Sequence, residues 1–235
     1  MRLLLLSNST SDDGYLVHAA GWLRAFLGAG VGRVLFVPYA GVTFSFDAYT
    51  AKVREAFAPL GIGVESVHEV ADEAKAVKEA EAIVVGGGNT FRLLTRLYRL
   101  GLMEPIRRAV RGGTPYVGWS AGANLACPTI RTTNDMPIIE PPSFEAFGFV
   151  PFQINPHYTD AHPPGHRGET RADRIAEFAE LNQDVTVLGL PEGTALRVEG
   201  DRMERLGPHP IRRFRYGQAT RDLTETDVSE ELRAG

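Results

Sequence analysis

Gly118-Trp119-Ser120-Ala121-Gly122 sets a serine between two glycines, where the apolar Tyr116-Val117 run gives way to small residues. In that context G-x-S-x-G describes a strand-to-helix elbow. The turn is strained, the glycines let the two backbones approach, and the serine hydroxyl stands clear as a nucleophile. A helix start beneath it adds partial positive charge that stabilises an anion. The bland alternative is a tight β-to-α turn carrying an incidental serine. A second glycine-rich turn, Gly86-Gly87-Gly88-Asn89-Thr90, follows Ile83-Val84-Val85, and successive exposed N–H groups in such a turn form an anion cradle. The run fits neither G-x-G-x-x-G nor G-x-x-x-x-G-K-[ST], which argues against a phosphate loop. For attack by Ser120, the oxyanion donors would be the N–H groups of Gly88 and Ala121.

A serine hydroxyl needs a base, and six histidines are available: His18, His68, His157, His162, His166 and His209. His157 is best placed, in Asn155-Pro156-His157, just past an expected strand; functional loops of an open α/β sheet gather at the carboxyl ends of strands. Two carboxylates could orient it. Asp135 gives the chain order Ser, Asp, His, and Glu192, in Leu190-Pro191-Glu192-Gly193, gives Ser, His, Glu. Strand ends hold side chains more firmly than irregular loops, which favours Glu192 while leaving Asp135 open. His157, His162 and His166, with Asp160 between, also permit a metal reading. Pro163 and Pro164 exclude the helix that would align them, and no compact zinc pattern is matched, so no metal site is expected.

The elements that must hold these residues read as alternating strands and helices, the signature of βαβ units and a mostly parallel sheet. Strands are expected at Leu3–Leu6, Val34–Val37, Ile83–Val85 and Tyr116–Gly118, with later ones around Phe149–Ile154, Thr186–Leu190 and Ala195–Val198. Helices are expected at Tyr15–Leu27 behind Asp12 or Asp13, Asp47–Phe57 behind Ser45, Glu73–Glu81 behind Asp72, and Arg171–Leu181 behind Thr170. The 235 residues show no repeat and no separating linker, so one domain, 1–235, is the expectation.

With 25 Lys and Arg against 29 Asp and Glu, the net charge of −4 gives no footprint for nucleic acid or anionic lipid. No apolar run approaches the ~20 residues of a membrane-spanning helix. The single cysteine, Cys127, rules out an internal disulfide and fits a reducing compartment, so a cytoplasmic location and a small-molecule partner are expected. A homodimer stays open.

Leu5-Leu6-Ser7-Asn8-Ser9-Thr10, Val84 through Phe91, Gly118 through Asp135, Gln153 through His157, and Leu190-Pro191-Glu192-Gly193 together resemble peptidase E, the aspartyl dipeptidase group of serine peptidases. The resemblance is near full length and weakens after Gly200. It implies a three-layer α/β/α sandwich of the class I glutamine amidotransferase-like, flavodoxin-like kind. It also implies Ser120 as nucleophile, His157 as base, and Glu192 as acidic partner, with Asp135 the older candidate for that place. No cofactor is implied. The implied substrate is a small peptide, an α-linked dipeptide with N-terminal aspartate, whose carboxylate Arg171, or failing it Arg131, could pair bidentately. Asn89 is a further candidate contact. The nearest rival is a cyanophycinase-like hydrolase, and from another class a non-catalytic domain binding a small anion on Gly86–Thr90.

Overall fold

β1 (Arg2–Leu6) buries all four of its leucines, because it is an interior strand of a sheet covered on both faces. The computed structural model describes residues 1–161, 165 and 167–233. After β1 come a short hairpin, β2 (Thr10–Ser11) and β3 (Gly14–Tyr15), then α1 (Ala20–Leu27), β4 (Arg33–Val37), α2 (Phe46–Phe57), β5 (Gly63–Ser66), α3 (Glu73–Glu79), β6 (Ile83–Val85), α4 (Thr90–Arg99), α5 (Met103–Arg111), β7 (Tyr116–Trp119) and α6 (Ala121–Leu125). The second half holds β8 (Gln153–Pro156), α7 (Arg171–Leu181), β9 (Val187–Leu190), β10 (Ala195–Glu199), β11 (Arg202–Leu206), β12 (Ile211–Phe214) and β13 (Arg221–Leu223).

The main sheet has the order β11-β10-β1-β7-β6-β4-β5; β1, β7, β6, β4 and β5 are parallel, and β10 and β11 join antiparallel at one edge. Side chains alternate between its faces. Leu4, Leu6, Phe36, Val84 and Val117 pack with Leu23 and Phe26 of α1 and Val53 and Phe57 of α2. Leu3, Leu5, Leu35, Val37, Ile83 and Val85 pack with Val77 of α3, Leu93 and Leu97 of α4, and Ile106 and Val110 of α5. The chain steps from β1 to β4 to β5 over one face and returns to β6 and β7 over the other, as right-handed crossovers require. The result is the expected α/β/α sandwich.

The structure differs from the sequence reading in several places: β5, β11, β12 and β13 were not expected, and α3 stops at Glu79 rather than Glu81. Thr10–Tyr15 is a hairpin turning at Asp12-Asp13, and α1 starts only at Ala20, behind a 3₁₀ turn at Val17–Ala19; Asp favours turns as well as helix caps. The strand expected over Phe149–Ile154 lies at Gln153–Pro156, because Phe149, Val150 and Phe152 are apolar as core-filling residues of an irregular segment. Helix α5 was missed, its first turn carrying Pro105. Finally, β8 and β9 leave the main sheet and build a second one, β13-β12-β9-β8, on which α7 packs through Ile175. Among the described residues no helix is long and apolar enough to cross a membrane.

Candidate active site

At the end of β7 the backbone turns at Ser120 with φ 52° and ψ −110°, a conformation that a residue with a side chain adopts only under constraint. The constraint is packing. A Cβ on Gly118 would lie 2.4 Å from the Gly122 carbonyl oxygen, and one on Gly122 would lie 2.2 Å from that of Val85. The Ser120 N–H donates to Leu6 O at 3.0 Å, and its carbonyl accepts from Ala123 and Asn124, which starts α6. The two glycines of the elbow are therefore the residues that let β7, α6 and β6 meet without a clash.

Ser120 Oγ lies 2.9 Å from His157 Nε2, and His157 Nδ1 lies 2.7 Å from Glu192 Oε1. A carboxylate only accepts, so Nδ1 carries the proton and Nε2 presents its lone pair to the serine hydroxyl. His157 is half exposed and Glu192 more so. The loops carrying them are pinned from β1. Buried Ser7 accepts the His157 N–H at 2.8 Å and donates to Leu190 O at 2.8 Å, while Asn8 Oδ1 accepts the Gly193 N–H at 2.8 Å. His157 itself sits at φ 54°, held there by these bonds and by the Tyr158 N–H to Leu190 O. Sequence reasoning gave Ser7 and Asn8 no site role. Their signal was position: polar residues immediately after an all-apolar central strand.

The remaining histidines take other places. His18 packs edge-on against Trp22, and His68 bonds Ser66 and Asp47. His162 and His166 lie outside the described residues. Asp47, His68 and Glu69 could offer three metal ligands, but Glu69 is already bonded to Arg54 and the group lies apart from the residues around Ser120. Cys127 is fully buried with its thiol pushed up to about 12 by that burial, so it is an inert core group.

Gly88 has φ 135°, and a Cβ there would lie 2.4 Å from Ala40 O, so only glycine fits. The peptide before it is oriented by a buried relay: Trp119 Nε1 donates to the Tyr49 hydroxyl at 3.1 Å, and that hydroxyl donates to Gly87 O at 3.0 Å. Burial raises the Tyr49 pKa, so the phenol stays a donor. In a trans peptide the C=O and N–H point oppositely, so the Gly88 N–H faces away from Tyr49. Neither it nor the Ala121 N–H makes a turn or cap hydrogen bond among the described residues. Losing one oxyanion donor costs ~10²–10³ in rate; Tyr49→Phe, which only loosens one, is expected to lower kcat by about 10–10² with KM little changed, as steady-state kinetics would show.

Ser120, His157, Gly87 and Gly88 line a cavity of about 610 Å³ with Tyr15, Phe44, Tyr49 and Lys52. A neighbouring cavity of about 510 Å³ holds Arg131, Arg171 and Arg174. Arg171 is half buried, which lowers its pKa from the ordinary value, with Arg174 adding repulsion. It makes no ion pair among the described residues, as Arg174 does with Glu169. Arg131 is exposed over the Phe178 ring. A desolvated, unpaired guanidinium is a receptor for a carboxylate.

Asp135 contacts neither nitrogen of His157, both of which are occupied, and bonds instead to Thr90 and Thr133. Of the two carboxylates left open by sequence, the structure joins Glu192 to the histidine and Asp135 to the start of α4. Asn89 caps α4 through Arg92 N and donates to Met136 O, which leaves one amide hydrogen for a ligand.

The model of Peptidase family S51 matches residues 3–206. The chain is similar to peptidase E of Streptomyces coelicolor, 57% identical over 235 residues covering 99% of this chain and 95% of that one. It is 49% identical to peptidase E of Salmonella typhimurium over 219 residues, covering 93% and 95%. Among solved structures, a peptidase from an acI-B1 Actinobacterium matches with TM-score 0.70 at 19% identity, covering 96% of this chain and 95% of that one. A protein of Listeria monocytogenes EGD-e matches with TM-score 0.67 at 24% identity, covering 88% and 98%. These two share the fold.

Proposed function

The chain belongs to Peptidase family S51 and is a serine-type dipeptidase, and from that premise we propose that Ser120, His157 and Glu192 are its catalytic triad and dipeptides with N-terminal aspartate its substrates. The observation that carries the triad is the unbroken hydrogen-bonded row from Ser120 Oγ through both ring nitrogens of His157 to Glu192. Arg171, half buried and free of an ion pair among the described residues, supports the aspartyl preference.

In the first half-reaction His157 Nε2 takes the Ser120 proton as Oγ attacks the peptide carbonyl carbon. The carbonyl oxygen becomes an oxyanion held by the Gly88 and Ala121 N–H groups. Collapse breaks the C–N bond, and the proton on Nε2 passes to the leaving amine, which departs as a free amino acid. Glu192 holds the Nδ1–H throughout and stabilises the imidazolium. Water then attacks the aspartyl ester with His157 again as base, and its breakdown returns the proton to Ser120 and frees aspartate.

Free amino acid released from Asp-Leu, beside Glu-Leu, Asn-Leu and Ala-Leu, tests the assignment. Asp-Leu is expected to be preferred over Asn-Leu by roughly 10² or more in kcat/KM, because a site built around a guanidinium is left unpaired by an amide. Comparable cleavage of Ala-Leu would overturn the aspartyl reading while leaving the serine peptidase intact.

A further inference from the structure

Among the described residues, Asp135 is the one that lines both the cavity of Ser120 and the cavity of Arg171. Its anchoring is one-sided. The Thr90 N–H at 2.7 Å, the Thr90 hydroxyl at 2.5 Å and the Thr133 hydroxyl at 3.1 Å all reach Oδ2. Among the described residues no hydrogen bond reaches Oδ1 and no Lys or Arg pairs with this carboxylate. The N-terminus of α4 and two hydroxyls thus fix an anion whose second oxygen is left for a ligand. It is also the only carboxylate among the described residues lining the Ser120 cavity. Both nitrogens of His157 are engaged elsewhere, so Asp135 has no place in the proton relay.

On the aspartyl dipeptidase reading above, the substrate carries a side-chain carboxylate and, on the carbon next to the scissile carbonyl, an ammonium group. Arg171 answers the first, and nothing yet described answers the second. We infer that Asp135 binds the α-ammonium of the substrate through Oδ1, which makes it a specificity residue that admits only peptides with a free amino terminus. An internal aspartate or an N-blocked one would bring an uncharged amide to a half-buried carboxylate that needs a cation, and be rejected.

The test compares Asp-Leu with succinyl-leucine, which is the same molecule without the α-amino group, on wild type, Asp135→Asn and Asp135→Glu. Wild type is expected to favour Asp-Leu by roughly 10² or more in kcat/KM, with much of the difference in KM. Asp135→Asn should lose most of that preference by falling about 10²-fold on Asp-Leu while staying within about threefold on succinyl-leucine, and Asp135→Glu should restore part of it. Equal losses on both substrates would mark Asp135 as merely structural and overturn the inference, as would unchanged discrimination in a folded Asp135→Asn. Thermal melts show whether each variant is folded; should Asp135→Asn not fold, Asp135→Glu with unaltered kinetics on both substrates overturns the inference, and a raised KM for Asp-Leu alone upholds it. A wild type inert toward Asp-Leu but active on other dipeptides would sink the aspartyl assignment instead.

Discussion

Ser120→Ala is expected to lower kcat on Asp-Leu by about 10⁴–10⁶ while leaving the thermal melt within a degree or two of wild type. The loss is that large because the whole covalent route goes with Oγ: no ester can form, and His157 keeps a proton-accepting nitrogen with no hydroxyl to serve. What remains is the rate that water achieves in a site that still presents the Gly88 and Ala121 donors. The fold is expected to hold because, among the described residues, the hydroxyl bonds only His157 Nε2, whereas the strained backbone at φ 52° is maintained by Gly118, Gly122 and the Ser120 N–H to Leu6 O, none of which the substitution touches. A fluorophosphonate probe should label wild type at Ser120 and fail on the variant. Activity within tenfold of wild type would refute nucleophilic catalysis by this residue.

Glu192→Gln is the second large effect, a drop of about 10²–10⁴ in kcat. The amide keeps the shape and can still meet Nδ1, but its N–H₂ end favours the tautomer with the proton on Nε2, where it cannot receive one from Ser120. The Glu192 side chain is 63% exposed, so water partly substitutes for the carboxylate and the expected value lies toward the low end. Asp135→Asn, measured beside it on succinyl-leucine, should be nearly silent. The pair of variants therefore separates a proton relay from substrate recognition by kinetics alone. A Glu192→Gln enzyme of unchanged kcat would remove this carboxylate from the triad.

The parts of this molecule that were legible in sequence are those where one physical demand acts alone. Four apolar runs, ending near Leu6, Val37, Val85 and Gly118, are strands because a parallel sheet covered on both faces needs them apolar throughout. Thr170 and Ser45 cap the helices expected of them, since a side-chain oxygen before an amphipathic stretch has few other uses. Where two demands share one residue type, the sequence is ambiguous. Asp12 and Asp13 suit a cap and a turn equally, and Phe149 to Phe152 fill a core without forming a strand. Membership of the second sheet was invisible, because Val187–Leu190 is as apolar there as it would be in the first. The same limit applies to the site. G-x-S-x-G is local and could be read, whereas Ser7 meets His157 across 150 positions and Tyr49 meets Gly87 across 38, contacts that only the folded chain defines.

The reactive row crosses a boundary. Ser120 and Gly88 stand on the seven-stranded sheet, His157 follows β8 of the four-stranded one, and Glu192 rides on the short span that carries the chain from β9 back to β10. The hydroxyl of Ser7, which follows β1 of the seven-stranded sheet, reaches across that seam to Leu190 O and the His157 N–H at the ends of two strands of the other sheet. Turnover is thus an alignment gauge for two slabs of structure: a slip of an ångström between them would silence the chemistry while every strand remained paired with its neighbours.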